Sequence, residues 1–523
     1  MTERFERHAR TVSLLTLLSR FTGLARDATL SRIFGAGAVM DAFFFAFMVP
    51  NLFRRLFGEG ALAAAFLPTF ARLERDDPTR AAAFASRTLA LSVIVLSMVV
   101  VLSEVVLWGI SSRLDHENAA VWLMMIMLPY MPMVCLVALL GAMLQVRQRF
   151  GPTAAAPIVL NGCLIGAALL GSTLVTDSRL SHVAAVAASV LVAGVIQIAW
   201  SILALRGMSW WTRDHRTARD DVRAMVVTAV PMIIGLGVLQ LNTLLDGLIA
   251  SYPTTVGDTF LGVAYPLEEG AMATISFAQR LYQFPLGVFG IAIATAIFPL
   301  LARQTDDDTA FRDTMNRGLR LVVFIGVPAS AGLILIRHDL AAAVLQGGAF
   351  TTEDSRAVGR ILFGYAPAIW AYSMNHVLTR ALYAYGDSRT PVRIAVRIVL
   401  LNVILNCTLI WTPMREAGLA VSTSICATLQ AMLLLRAGRL RTMTLVDRDV
   451  ARSWLMTIVL TIGMAMIVFA VDRLLSPAAR WSDAVLRLFV LTSIGAVVYG
   501  VGSVIARRPE LAWALGREGS AQE

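Results

Sequence analysis

The sequence predicts an all-α polytopic membrane protein, and three observations carry that expectation. Of 523 residues, 57% are hydrophobic and 15% charged, with a mean hydropathy of +0.70; soluble domains average about 25% charged residues. Apolar stretches near the length of a membrane span recur from end to end. Arginine is concentrated on alternate connections between those stretches, as expected for loops retained on the cytoplasmic side.

The apolar stretches fall at 11–35, 38–70, 82–110, 119–146, 153–176, 181–205, 222–250, 269–301, 318–336, 357–385, 392–411, 416–435, 453–472 and 482–506, which predicts fourteen transmembrane segments. The first follows Arg4, Arg7 and Arg10 but is interrupted by Arg20, and no small-residue cleavage site follows, so it is expected to be a retained helix and not a signal peptide. The second and eighth are long and broken, with Pro50, Gly58, Gly60 and Pro68 in one and Pro285, Gly287, Gly290 and Pro299 in the other; breaks at membrane depth are tolerated where a helix lines a cavity. The third to seventh and ninth to twelfth read as ordinary spans, and the last two are strongly apolar. Arg72, Arg75, Arg80 and Arg87, then Arg213, Arg216, Arg219 and Arg223, then Arg436, Arg439, Arg441, Arg448 and Arg452 mark one side as cytoplasmic. Both termini then lie in the cytoplasm, as an even number of spans requires.

The two broken segments resemble each other. Ala61-Leu-Ala-Ala-Ala-Phe-Leu-Pro-Thr-Phe-Ala-Arg72 aligns without gaps to Ala292-Ile-Ala-Thr-Ala-Ile-Phe-Pro-Leu-Leu-Ala-Arg303, and an Asp-rich turn follows each. A second echo pairs Gly141…Gly151-Pro152 with Arg380…Thr390-Pro391. The expected organisation is two pseudo-symmetric six-helix lobes in parallel orientation, 1–215 and 216–440, followed by 441–523 with segments 13 and 14 and a cytoplasmic tail. Substrate is expected between parallel repeats.

Composition excludes several chemistries. All 45 basic residues are arginine, so no Walker A or Schiff-base lysine is available. Cys135, Cys163, Cys407 and Cys426 form no CxxC pair and read as small buried residues. The six histidines show no HExxH spacing. Neither a cofactor nor a resident metal is expected beyond a candidate sodium, and nothing suggests nucleic acid as a partner.

The residues that carry chemistry are intramembrane arginines. Arg20 and Arg26 fall in segment 1, Arg54 and Arg55 in segment 2, and Arg280 in segment 8. A charge at the bilayer centre costs roughly 2.5–3.5 kcal/mol on insertion scales. Four facing lipid would cost on the order of 10 kcal/mol, comparable to the stability of a whole protein. They are expected to face a wet cavity, where guanidinium groups suit a diphosphate. Arg397 and Arg487, near helix ends, are expected to snorkel. Asp27, Asp41 and Glu59 are candidate counter-charges, with Asn51, Arg55, Gln279 and Gln283 as supporting cavity residues. Asp246, Asn402, Asn406 and Thr423 form a second polar set. Two readings of it stand open: oxygen ligands for a small hard cation, or hydrogen bonds between helices.

At these residues the chain resembles the MurJ (MviN) family of lipid II flippases, within the multidrug/oligosaccharidyl-lipid/polysaccharide (MOP) exporter superfamily. The resemblance lies in Arg26-Asp…Phe34-Gly-Ala-Gly…Asp41-Ala-Phe-Phe, Pro50-Asn-Leu-Phe-Arg-Arg-Leu-Phe-Gly-Glu-Gly60, Gln279-Arg-Leu-Tyr-Gln-Phe-Pro-Leu-Gly-Val-Phe-Gly290 and Arg380-Ala-Leu-Tyr-Ala-Tyr-Gly-Asp-Ser-Arg-Thr-Pro391. It implies the MOP exporter fold, a lipid-tail groove formed by segments 13 and 14, and a bacterial inner-membrane flippase moving undecaprenyl-diphosphate-linked peptidoglycan precursor outward by alternating access. It implies diphosphate binding by Arg20, Arg26, Arg54 and Arg280, and sodium binding at the second polar set. Coupling is expected to sodium, to protons or to the membrane potential. The protein is expected to act as a monomer among membrane lipids, with cell wall synthesis machinery as a candidate partner. Gln279 and Gln283 replace acids found in some members, and the connection from Ser251 to Gly270 is long, a candidate extracytoplasmic lid. The alternatives are a flippase for another polyprenyl-diphosphate-linked oligosaccharide, a drug/cation antiporter, or a polytopic enzyme acting on lipid-linked sugars.

Overall fold

The computed structural model describes residues 2–58, 61–112, 118–174, 178–214, 216–439, 446–478 and 480–515. These residues are almost entirely helical and fall into two compact units, Met1–Ala273 and Thr274–Glu523.

In the first unit, helix α1 spans Thr2–Phe34. Helix α2, Ala38–Phe53, passes through a π-turn at Arg54–Gly58, and α3 follows at Ala61–Asp76. Helix α4 is Pro78–Ser111, capped by Asp77, whose carboxylate accepts from the Thr79 and Arg80 amides at 3.1 Å each. Helices α5, Ala119–Met127, and α6, Tyr130–Val146, meet at a break over Leu128-Pro129. Then come α7, Gly151–Leu174, α8, Arg179–Ala204, and α9, Arg219–Thr255. A two-stranded hairpin follows, β1 Thr259–Phe260 with β2 Val263–Ala264, turning through Leu261 and Gly262 at positive φ. Helix α1 packs on α7 and α7 on α8, while α9 packs on α2 and α3. The alanine- and leucine-rich core of α3, α4 and α6 holds a short aromatic stack, with Phe66 on Phe70 at 5.3 Å and on Phe84 at 5.2 Å.

The second unit opens within α10, Ala271–Pro285, which passes through a π-turn at Leu286–Gly290 into α11, Ile291–Arg303. Helix α12 runs over Asp308–Leu345, capped by Asp307. Helices α13, Thr352–Tyr365, and α14, Ala368–Ala384, meet at Ala366-Pro367. They are followed by α15, Arg389–Leu409, α16, Ala417–Arg439, α17, Arg448–Leu474, α18, Trp481–Ile505, and the short α19, Pro509–Ala514. Helix α12 is the central post, packed by α13, α14, α17 and α18.

Among the described residues, nine helices are long and apolar enough to cross a membrane: 78–111, 119–146, 151–171, 179–204, 308–345, 389–409, 417–438, 448–474 and 481–505. Of the other expected spans, the first falls on the charged α1, the second and eighth on α2–α3 and α10–α11 with their π-turns, and the tenth on α13–α14 with its break at Ala366-Pro367, while the seventh falls within the unbroken α9. Arg20, Arg26, Asp27 and Arg32 interrupt α1, and the π-turns leave α2, α3, α10 and α11 at 13 to 16 residues. Helix α12 is far longer than the expected 318–336, because its polar ends, Arg312 to Arg320 and Arg337 to Asp339, continue the helix beyond the apolar window.

Arg487 departs from the snorkelling expected of it. Its Nε donates to Asp339 at 3.0 Å, it also pairs with Asp472, and it donates to the Leu475 and Ser476 carbonyls. The acids sit on α12 and α17, so this guanidinium ties three helices together. Position near a helix end gave no sign of acids arriving from other helices. Arg397 is exposed on α15.

The last helix is held by charge. Glu510 is fully buried and accepts from Arg320 Nε at 2.7 Å and from the Ser453 hydroxyl at 2.7 Å, with Arg508 at 2.9 Å. Trp513 lies under the Arg317 and Arg320 guanidiniums at 4.9 and 5.0 Å. Burial alone would raise the Glu510 carboxyl, but the hydrogen bonds from Ser453 and Arg320 outweigh it and hold it below the usual range. A depressed carboxyl stabilises the fold above its unfolded pKa, near 4.5, and the contribution is lost as pH falls through the lower folded value. Glu510→Gln is expected to lower stability at pH 7 by about 3–5 kcal/mol, the usual effect of breaking a buried pair, and to flatten acid destabilisation below pH 4.5. Thermal unfolding in detergent across pH checks both.

Candidate functional site

The arginines expected to line a cavity occupy different environments. Arg26, 7% exposed, is tied down. Its Nε and Nη2 both donate to Asp27 Oδ1, at 2.9 and 2.5 Å, and its Nη1 donates to Asn161 Oδ1 on α7 at 3.1 Å. The Asn161 amide in turn donates to the Thr22 hydroxyl at 3.1 Å and the Ser19 carbonyl at 3.4 Å. Asn161 was missed in the sequence, though a lone amide in an apolar segment is itself a signal.

Arg20 differs. It is half-buried, two turns from Arg26 along α1, and makes no hydrogen bond or ion pair among the described residues. Arg54 opens the π-turn after α2, half-buried, with its Nε donating to Asn51 Oδ1 at 3.0 Å. Arg55 is the next residue of the same turn. A π-turn leaves the regular i→i−4 ladder and is often found at functional sites. Glu59 lies outside the described residues.

Asp41 serves the backbone. Its fully buried carboxylate accepts from the Gly270 amide at 2.6 Å, the Ala273 amide at 2.7 Å and the Thr254 hydroxyl at 2.9 Å. It thereby caps the start of α10 from the first turn of α2 and holds the end of α9 beside them. Gly270 has φ +97°, and a Cβ there would lie 2.1 Å from the Ala36 carbonyl oxygen, so only glycine fits. The connection that follows α9 carries the hairpin, stiffened by Tyr252 stacked on Tyr265 at 4.4 Å.

In the second unit Arg280 is exposed on α10. Beside it Gln279 Nε2 donates to the Tyr365 hydroxyl at 3.0 Å, and Tyr365 stacks on Tyr282 at 4.5 Å. Gln283 lies half-buried one turn later. Gly290 closes the π-turn against Ser373 of α14, so close that a Cβ would meet the hydroxyl at 2.2 Å.

The second polar set divides. Asp246 is half-buried on α9 of the first unit, with the Asn242 amide at 3.4 Å. In the second unit Asn406 Nδ2 donates to Asn402 Oδ1 at 3.0 Å, Asn402 Nδ2 donates to the Ser422 hydroxyl at 3.2 Å, and Ser422 donates to Asn406 Oδ1. The three groups satisfy one another between α15 and α16. Thr423 instead donates to the Leu419 carbonyl of its own helix at 2.8 Å. Ser422, one residue away and about 100° around the helix, is the partner missed in the sequence. The four cysteines are free thiols.

Removing the partners of Arg26 tests this arrangement. Asp27→Ala, which takes the carboxylate away from a buried guanidinium, is expected to cost about 3–5 kcal/mol. Asn161→Ala is expected to cost about 1–3 kcal/mol. Chemical denaturation of the detergent-solubilised protein measures both.

Comparison with known proteins gives one consistent result. The family model described as lipid II flippase MurJ matches residues 30–489. A probable lipid II flippase MurJ of Vibrio cholerae is 31% identical over 515 residues, covering 95% of this chain and 94% of that protein. The lipid II flippase MurJ of Burkholderia cenocepacia is 30% identical, covering 87% of each. Among solved structures, a lipid II flippase MurJ in an inward closed conformation matches with TM-score 0.79 at 22% identity, over 95% of this chain and 99% of that one. An inward-facing MATE-family multidrug transporter of the MOP superfamily matches with TM-score 0.67 at 13% identity, over 83% and 98%. At these identities the structures establish the fold, and the family match covers nearly the whole sequence: the chain belongs to the lipid II flippase MurJ family, as a multi-pass membrane protein with the fold seen in the solved MurJ and MATE structures.

Proposed function

We propose that this protein moves lipid II, the undecaprenyl-diphosphate-linked peptidoglycan precursor, from the cytoplasmic to the periplasmic leaflet of the inner membrane. The observation that carries the reading is the family match over residues 30–489. It is supported by Arg20, a half-buried guanidinium that follows the apolar stretch 11–19 of α1 and has no acid to neutralise it among the described residues.

In this reading the broken helices join across their breaks to make fourteen spans, arranged as lobes 1–215 and 216–440 with 441–523 appended, and both termini are cytoplasmic. Arg20, Arg26, Arg54 and Arg280 hold the diphosphate. Arg20 is open to meet it, Asn51 orients Arg54, and Asp27 and Asn161 keep Arg26 compensated while no substrate is bound. Asp41, Arg55, Glu59, Gln279 and Gln283 support the site. The polyprenyl tail stays in lipid while the lobes alternate. Asp246, Asn402, Asn406 and Thr423 form the candidate coupling site for sodium or protons. A membrane potential negative inside also favours outward movement of an anionic head group, by about 2.3 kcal/mol per charge per 100 mV. The protein works as a monomer and hands its product to the cell wall synthesis machinery.

The test is Arg20→Ala in cells that depend on this protein, with lipid II accessibility at the outer leaflet as the readout. Loss of a charge-assisted contact of about 1.5–3 kcal/mol predicts roughly tenfold or greater loss of transport. Undiminished flipping at normal protein levels would remove Arg20 from the substrate site.

A further inference from the structure

Helix α14 buries one face and leaves another chemically unlike it. Ala371, Met374, Asn375, Leu378 and Leu382 are buried, and α14 packs on α11, α12 and α16. The remaining face carries Tyr372, His376, Thr379, Arg380 and Tyr383, all half-buried or exposed. Their spacing places them within an arc of about 100°. The strip holds hydrogen-bond donors and a fixed positive charge, and no acid. Neither His376, Thr379, Arg380 nor Tyr383 makes a hydrogen bond or ion pair among the described residues. A lipid-facing strip of this kind would be costly. Snorkelling explains Arg380, about 6 Å of rise from the last residue of the helix, but not His376, about 12 Å from it and too short to reach out.

We infer that the α14 strip, centred on His376 and Arg380, is a second anion-binding track that contacts an oxyanion of the head group during translocation. This rests on the flippase reading and adds to it a contact in the second unit, separate from the four arginines assigned to the diphosphate. The occupant is set by charge complementarity: a guanidinium and an imidazole for a carboxylate or phosphate oxygen, with tyrosine rings and a threonine hydroxyl for adjoining sugar.

The experiment uses the full-length protein in liposomes, titrated separately with lipid II, with lipid II whose stem carboxylates are amidated, and with undecaprenyl diphosphate. Arg380→Gln is expected to weaken lipid II binding about tenfold, the effect of losing one charge-assisted hydrogen bond, with His376→Gln acting in the same direction. Loss confined to lipid II with free carboxylates identifies a carboxylate as the ligand; equal loss with undecaprenyl diphosphate identifies the phosphate. Either supports the track. Unchanged binding of all three ligands, with an unchanged melting temperature, overturns it and leaves Arg380 as a snorkelling residue. If Arg380→Gln melts early, Arg380→Lys reads the same contact, because it keeps the charge and loses the paired donors. Arg20→Ala, measured beside it, separates the two assignments: failure to weaken undecaprenyl diphosphate counts against Arg20 alone.

Discussion

A charge or backbone amide buried away from water needs a partner, and the arrangement of the fully buried polar groups in this protein follows from that constraint. Arg26 is buried, so it has Asp27 beside it and Asn161 across from it. The first amides of α10 lack intrahelical partners, and Asp41 supplies them from another helix. Asn402 and Asn406 cannot reach water, so they close a circuit with Ser422. The first two solutions bind together helices distant in sequence, and the third joins the neighbours α15 and α16. The polar groups therefore do structural work that apolar packing alone cannot, since in lipid there is little hydrophobic drive between helices.

The same local device recurs in both units. Each has a helix interrupted by a π-turn, at Arg54–Gly58 and Leu286–Gly290, running into a Pro-containing helix that ends in an Asp-capped turn. Each also has a helix broken just before its N-cap proline, Pro129 in one and Pro367 in the other. A π-turn and a proline both free backbone carbonyls from the ladder. Such segments bend without unfolding, a property suited to a transporter whose helices must change course around a fixed site.

Much of this was legible in the sequence because membrane helices announce themselves by hydropathy. The matched Ala-Arg ends of the broken helices pointed to the recurring device before any coordinates, and family motifs gave the arginines. What stayed hidden depended on partners from other helices. Arg487 looked like a snorkelling residue until Asp339 and Asp472 appeared beside it. Asp41 looked like a counter-charge for arginine, but its contacts with Gly270 and Ala273 join residues far apart in sequence. Ser422 and Thr423 are equally plausible by composition, and only the phase of α16 decides between them. The polar ends of α12, the hairpin at 259–264 and α19 escaped a search for apolar runs because they are not apolar.

If the arginines bind substrate as proposed, their environments imply an order of engagement. A guanidinium already held by a carboxylate can take a phosphate oxygen only by exchange, and exchange gains only the difference between two strong contacts. Arg26, held by Asp27 and Asn161, is in that position, so under the proposed function it would contribute specificity of placement more than affinity. A guanidinium without an acid partner gains the whole contact and raises the local potential that draws an anion in. Arg20 is in that position in the first unit and Arg380 in the second. A transported anion must also leave. A site built wholly of open arginines would hold it too tightly for turnover, whereas one in which Asp27 competes for Arg26 releases it with part of the electrostatic gain returned. Under the proposed function, the carboxylate beside the buried arginine would thus serve release as the open arginines serve capture.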